Sequence, residues 1–143
     1  MIREEDRSAI GELLSRYCHS IDAPRGDLCG DLFTDDAVLE TPVGRAEGIS
    51  AIREWIDGRL ALRQDGIQVR HLLLNTLLAE VEPDLVRVRS TLLYTWESLE
   101  MPREVSVKST VIYEDVVRRT SRGWLFSARR CETQLPLDDV YFR

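Results

Sequence analysis

Near Gln68 the spacing of apolar residues changes from three and four to two, which divides the chain into a helical first half and a sheet-forming second half. Before that point Ile10, Leu13, Leu14, Tyr17 and Ile21 fall on one stripe, predicting a helix from about Glu4 to Asp22 that Pro24 stops. Asp27 is placed to cap a short second helix carrying Leu28, Leu32 and Phe33. Thr34, Asp35 and Asp36 read as a polar turn into a short strand, Ala37 to Glu40. Pro42 and Gly44 mark a reversal into a return strand over Arg45 to Glu47. After Gly48, Ile49, Ile52, Trp55, Ile56 and Leu60 repeat with helical spacing to about Leu62.

Beyond Gln68 four long alternating runs follow: Gln68 to Glu82, Leu85 to Glu97, Glu104 to Arg119 and Trp124 to Gln134. Turn residues Pro83 and Asp84, Pro102, and Ser121 to Gly123 separate them closely enough to make them consecutive antiparallel neighbours. The expected architecture is α+β: N-terminal helices packed on a curved, mostly antiparallel sheet that closes as a cone around an internal pocket. At 143 residues, 43% of them hydrophobic, and with no repeat or linker-like tract, the chain is expected to form one domain spanning 1–143.

A formal charge of −6 with basic residues scattered among acids argues against a nucleic-acid surface. No apolar stretch is long enough to span a bilayer as a helix, and Met1 leads into Arg3, Glu4, Glu5 and Asp6 rather than an apolar signal core, so a cytoplasmic protein is expected. Cys18, Cys29 and Cys131 lack the spacing of a disulfide framework or a zinc site. No phosphate-binding loop, metal-ligand spacing or nucleophile elbow is present.

Two polar residues stand out against this pattern. Asp22 sits in the last turn of the first helix, where the negative end of the macrodipole disfavours a carboxylate. It flanks the apolar stripe on which Tyr17 is central; the plain alternative is a polar residue that closes the helix. His71 shares its predicted strand face with Val69, Leu73, Leu77, Ala79 and Val81, an imidazole in an apolar row that needs a partner. It reads either as a core histidine bonded to a carboxylate or backbone group, or as a catalyst.

The order of elements and several strings resemble the SnoaL-like branch of the nuclear transport factor 2-like superfamily. The strings are Tyr17-Cys18-His19-Ser20-Ile21-Asp22, Asp31-Leu32-Phe33-Thr34-Asp35-Asp36-Ala37-Val38, Gly48-Ile49-Ser50-Ala51-Ile52-Arg53, Arg70-His71-Leu72-Leu73-Leu74-Asn75 and Gly123-Trp124-Leu125-Phe126. The resemblance spans nearly the whole chain and implies the cone fold, with functions in that superfamily ranging from isomerases, dehydratases and cyclases to proteins without catalysis.

Within it, the bile-acid dehydratases look similar in carrying a helix-borne tyrosine, an aspartate five residues later and a histidine on the first long strand. Tyr17, Asp22 and His71 match in order, separation and element. What this implies is a cofactor-independent lyase that removes a proton next to a carbonyl of an apolar cyclic or polyketide-like substrate. Asp22 would orient His71, His71 would abstract, and Tyr17 would donate its hydroxyl to the carbonyl or to a departing hydroxyl. Trp55, Leu73, Tyr94, Trp96 and Tyr113 are the candidate substrate-binding residues, with Glu132 a further possible cavity residue.

The sequence departs from scytalone dehydratase, whose second strand histidine has no counterpart in the run Arg89 to Trp96. Ketosteroid isomerase and cyclase relatives rely on acids from the sheet, for which Glu114 and Asp115 match only loosely. Isomerase, polyketide cyclase, and noncatalytic ligand binder or accessory subunit remain the alternatives. A homodimer is expected through the outer sheet face, with Val105, Val107, Val111, Val117 and the tail Val140, Tyr141 and Phe142 as contact material. The tail from Leu135 to Arg143 has a second possible course, over the cavity mouth.

Overall fold

A computed structural model describes residues 1–143, and in it three helices pack against one curved six-stranded sheet. The elements are α1 (Glu4–Asp22), α2 (Gly26–Gly30), β1 (Phe33–Thr41), β2 (Gly44–Glu47), α3 (Ile49–Leu60), β3 (Ile67–Glu82), β4 (Leu85–Ser98), β5 (Val105–Thr120) and β6 (Gly123–Glu132), with a 3-10 turn at Asp139–Phe142. Sheet order is β2-β1-β6-β5-β4-β3; every pairing is antiparallel except β1 with β6. The short β3-to-β6 connections make a meander, whereas β1 is carried across by the helices and enters parallel.

The predicted stripe of α1 is the one that is buried: Ile10, Leu13, Leu14, Tyr17 and Ile21 face the sheet. Ile52 and Ile56 of α3 and Phe33, Ala37 and Leu39 of β1 complete the core from one side. Val86, Val88, Leu92, Tyr113, Val117 and Phe126 line it from the other. Each large apolar side chain so buried contributes about 1.5–3 kcal/mol. Gly48, at φ 81°, turns the chain from β2 into α3 in a conformation that side chains with a Cβ rarely adopt.

The second helix is shorter than its apolar spacing predicts. It ends at Gly30, and Phe33 to Asp36 belong to β1 rather than to a helix and turn. Phe33 pairs with Phe126 on β6 and the ladder resumes only at Val38 with Ala128, so Thr34, Asp35 and Asp36 form an irregular, bulged start to β1.

Register shifts in β3, β5 and β6 decide which side chains face inward. In β3 a shift lies between Leu74 and Leu77, with Asn75 at φ 53°. His71 and Leu73 therefore share the inner face with Leu78, which pairs with buried Val88, while Leu77, Ala79 and Val81 fall on the opposite face from the one predicted. In β5 Ser109 pairs with Tyr94 and Val107 with Thr95, leaving Lys108 as the bulged residue. Val105 and Val107 are exposed outside, but Val111 and Val117 turn inward and are not outer-face contact material. In β6 Phe126 pairs with Val117 and Ala128 with Val116, so the extra residue Ser127 brings Arg129 inside.

The tail crosses the outer face of the sheet rather than the cavity mouth. Arg89 donates to the carbonyls of Leu135 (2.7 Å) and Pro136 (3.0 Å), Arg87 to Asp138 (2.6 Å), and the Tyr141 hydroxyl to Glu114 (2.6 Å). Tyr141 is thereby buried and Phe142 left exposed. No helix is long and apolar enough to cross a membrane.

Candidate functional site

Asp22 and His71 come from elements 49 residues apart and meet at the sheet edge. As an edge strand, β3 has backbone N–H groups that face away from β4, and the His71 N–H donates to Asp22 Oδ2 at 3.0 Å. Asp22 Oδ1 lies 2.6 Å from His71 Nδ1. Both carboxylate oxygens are thus engaged by one residue, which fixes the ring plane and sets Nδ1 as the protonated nitrogen. Nε2 has no protein partner, and the side chains are 14% and 12% exposed, so the imidazole is within reach of solvent.

The unfavourable position of Asp22 at a helix C-terminus is relieved by its neighbours. Arg63, in the loop after α3, donates through Nη2 to the carbonyl of Ile21, placing a positive charge at the negative end of α1. Gln68 Nε2 approaches the Asp22 carbonyl at 3.5 Å and donates to the Val69 carbonyl at 2.8 Å. The helix end is therefore tied to the loop before β3 and to the start of β3 itself.

Tyr17 lies deeper. Its ring packs edge-on against Phe33, Tyr113 and Phe126, with centroids 6.2, 6.4 and 5.8 Å away. It makes no hydrogen bond to Asp22 or His71, and the five-residue separation along α1 is worth about 7.5 Å of rise. Burial pushes the hydroxyls of Tyr17 and Tyr113 above their ordinary range, keeping both as O–H donors at neutral pH.

Tyr94 packs on the His71 ring at 4.9 Å, and Trp96 follows it on the same face of β4. Leu73 and Trp55 are half-buried against the core. Glu132 is half-buried at the end of β6, paired with Ile112.

Sequence reasoning missed the role of Arg129. This residue is 1% exposed and meets Asp115, also 1% exposed, through two hydrogen bonds of 2.7 Å. Its guanidinium lies 4.0 Å from the Tyr17 centroid, 4.2 Å from Phe126 and 4.3 Å from Tyr113, while Nη1 has no hydrogen-bond partner. Asp115 was visible as a possible sheet acid, but nothing in the spacing signalled that the Ser127 bulge would turn Arg129 toward it.

Two hollows in the surface lie away from the Asp22–His71 pair. One, about 1040 Å³, runs along the outer flank of α1 past Leu28, Leu32 and Trp124; the other, about 530 Å³, lies beneath the tail on the outer sheet face. No three His, Cys, Asp or Glu side chains are grouped to hold a metal ion.

Helices packed on a curved mixed sheet, with a histidine–aspartate pair where the first helix meets the first long strand, define an α+β cone. The chain belongs to the SnoaL-like domain family, whose model matches residues 3–130. It is similar to a candidate aromatic ring hydroxylase from Novosphingobium aromaticivorans at 25% identity and TM-score 0.80, covering 96% of this chain and 95% of that one. A protein of unknown function with a cystatin-like fold from Nostoc punctiforme matches at 23% identity and TM-score 0.78, covering 95% and 96%. A candidate scytalone dehydratase from N. aromaticivorans matches at 21% identity and TM-score 0.75, covering 90% and 84%. No curated protein matches the sequence.

Proposed function

We propose that this SnoaL-like protein is a cofactor-independent dehydratase acting on an apolar cyclic or polyketide-like substrate. The observation that carries the reading is the double engagement of Asp22 with the ring and backbone of His71. With Nδ1–H held by the carboxylate, Nε2 takes the proton next to the substrate carbonyl and an enolate forms. The Tyr17 hydroxyl donates to the carbonyl oxygen, with the unpartnered Nη1 of Arg129 as a second donor in the same cluster. Collapse of the enolate expels the β-hydroxyl, which leaves as water with the proton taken up by His71.

Trp55, Leu73, Tyr94, Trp96 and Tyr113 supply apolar and aromatic surface for the ring system. The candidate scytalone dehydratase among the similar structures supports the reaction class at the level of the fold. We place a homodimer contact on the exposed outer-face residues Leu72, Leu74, Val105 and Val107, to be checked by the mass in light scattering.

The test is elimination of water from a cyclic β-hydroxyketone by the wild type, His71→Ala and Asp22→Asn. Loss of the base is expected to lower the rate about 10²–10⁴-fold with the unfolding midpoint nearly unchanged. Retained turnover in His71→Ala would rule the base out. Enolisation without loss of water would favour an isomerase or cyclase.

A second reading, a noncatalytic ligand binder in which Asp22 and His71 are a structural pair, is favoured by the close packing of Tyr17 and by the absence of the pair from both large hollows. It predicts that His71→Ala lowers stability and that no elimination is seen in the wild type.

A further inference from the structure

Lys108 is the single lysine of the sequence, and it occupies the bulge of β5. Alternation along β5 is broken there, so Lys108 and Ser109 are both set opposite Tyr94, on the inner side of the sheet. Its ammonium lies 4.8 Å from the centroid of the Trp96 ring. No carboxylate pairs with it; Glu97, the nearest acid along β4, points to the outer face and is approached by Arg103 at 3.7 Å.

Trp96 contributes the second half of the arrangement. Its indole Nε1–H is buried and has no acceptor, although a buried indole N–H ordinarily finds one. An exposed ammonium thus lies across the face of an indole whose edge donor is unsatisfied, which sets two donors without acceptors side by side. Arg63, beside Tyr94 and the end of α1, adds a second cation on the other flank of His71, where it also feels the Asp22 carboxylate. Two cations, Lys108 and Arg63, thus stand around the Asp22 carboxylate on the inner rim, in a chain whose net charge is −6.

Building on the reading of the inner face as the ligand site, we propose that Lys108 and Trp96 form an anion-binding subsite that selects ring compounds bearing a carboxylate. One carboxylate oxygen accepts from the ammonium and the other from the indole N–H, with Lys108 moving off the ring face to admit it. Lys108 stands two strands from His71, and with strands about 4.8 Å apart the subsite lies about 10 Å from the proposed base. That span fits a fused two-ring system with the carboxylate on one ring and the reacting carbon on the other.

The test compares 2-naphthoate with its methyl ester, a pair that differs in the charge, by calorimetric titration against wild type, Lys108→Met, Lys108→Arg, Trp96→Phe and Arg63→Met. The wild type is expected to bind naphthoate at least about tenfold more tightly than the ester, a difference of about 1.4 kcal/mol. Lys108→Met should bring the two to near parity, Trp96→Phe should narrow the gap, and Lys108→Arg should keep it. His71→Ala should retain the preference, so a failed dehydratase reading leaves this result standing. An undiminished preference in Lys108→Met, or its loss in Arg63→Met alone, overturns the assignment. So does equal binding of the two probes by the wild type.

Discussion

Asp115 and Arg129 offer a severe test of how this core is held together. Each is 1% exposed, and two hydrogen bonds of 2.7 Å join them, so replacing either one strands an ionised group in the interior. Removing one partner of such a pair costs about 3–5 kcal/mol, a large share of the roughly 5–15 kcal/mol that stabilises a domain. For 143 residues, at roughly 2.1 cal/mol/K per residue, the unfolding entropy is about 0.3 kcal/mol/K. Asp115→Leu and Arg129→Met are therefore each expected to lower the unfolding midpoint by about 10–17 °C.

The double variant removes both charges together with their desolvation cost and fills the space with hydrocarbon. It is expected to lie within about 1 kcal/mol of wild type, far above the sum of the singles. Thermal and urea unfolding followed by circular dichroism give the three differences. A double variant as unstable as the two singles added together would refute the reasoning, because the penalty would then belong to lost packing and cation–π contacts rather than to a stranded charge. In the proposed elimination reaction the double variant should still be impaired, since Tyr17 and Tyr113 lose the cation stacked on them.

Three further outcomes are expected. The hydrogen bond from Arg119 (2.5 Å), with others from Trp124 and Arg3, holds the Asp6 carboxyl down at about 2. Because the folded value is depressed, this stability is present above the ordinary carboxylate range near pH 4 and is lost as the pH falls toward 2; Asp6→Asn should flatten that acid limb of a stability–pH curve. Burial pushes the thiols of Cys18, Cys29 and Cys131 up to about 11, so all three should resist iodoacetamide at pH 8 until the chain is unfolded, as mass spectrometry will show. Arg63→Met should free the end of α1 at a cost of about 1–2 kcal/mol and loosen the Asp22–His71 hydrogen bond, read as an upfield move of the His71 Nδ1–H proton by NMR, which Arg63→Lys should partly reverse.

The change of period at Gln68 made the helix-then-meander order legible, because burial of one face imposes a spacing that can be counted without coordinates. The same counting placed Asp22 at the end of α1 and His71 on β3, two of the residues on which the proposed site rests. It misread Phe33 to Asp36, where Phe33 pairs with β6 and the polar residues after it join β1 as a bulge, and it assigned Leu77, Ala79, Val81, Val111 and Val117 to the wrong faces. Each of those five lies beyond a bulge, and one inserted residue exchanges the two faces of a strand without altering its composition.

The amino-acid order thus determined which segments are helix or strand, and the family to which they belong. Only the tertiary structure decided that Arg129 turns inward to Asp115, that Lys108 lies over Trp96 and that the tail crosses the outer face. These are matters of register between strands, set by the packing of the whole sheet against its helices, and a linear pattern carries no record of which residue stands opposite which.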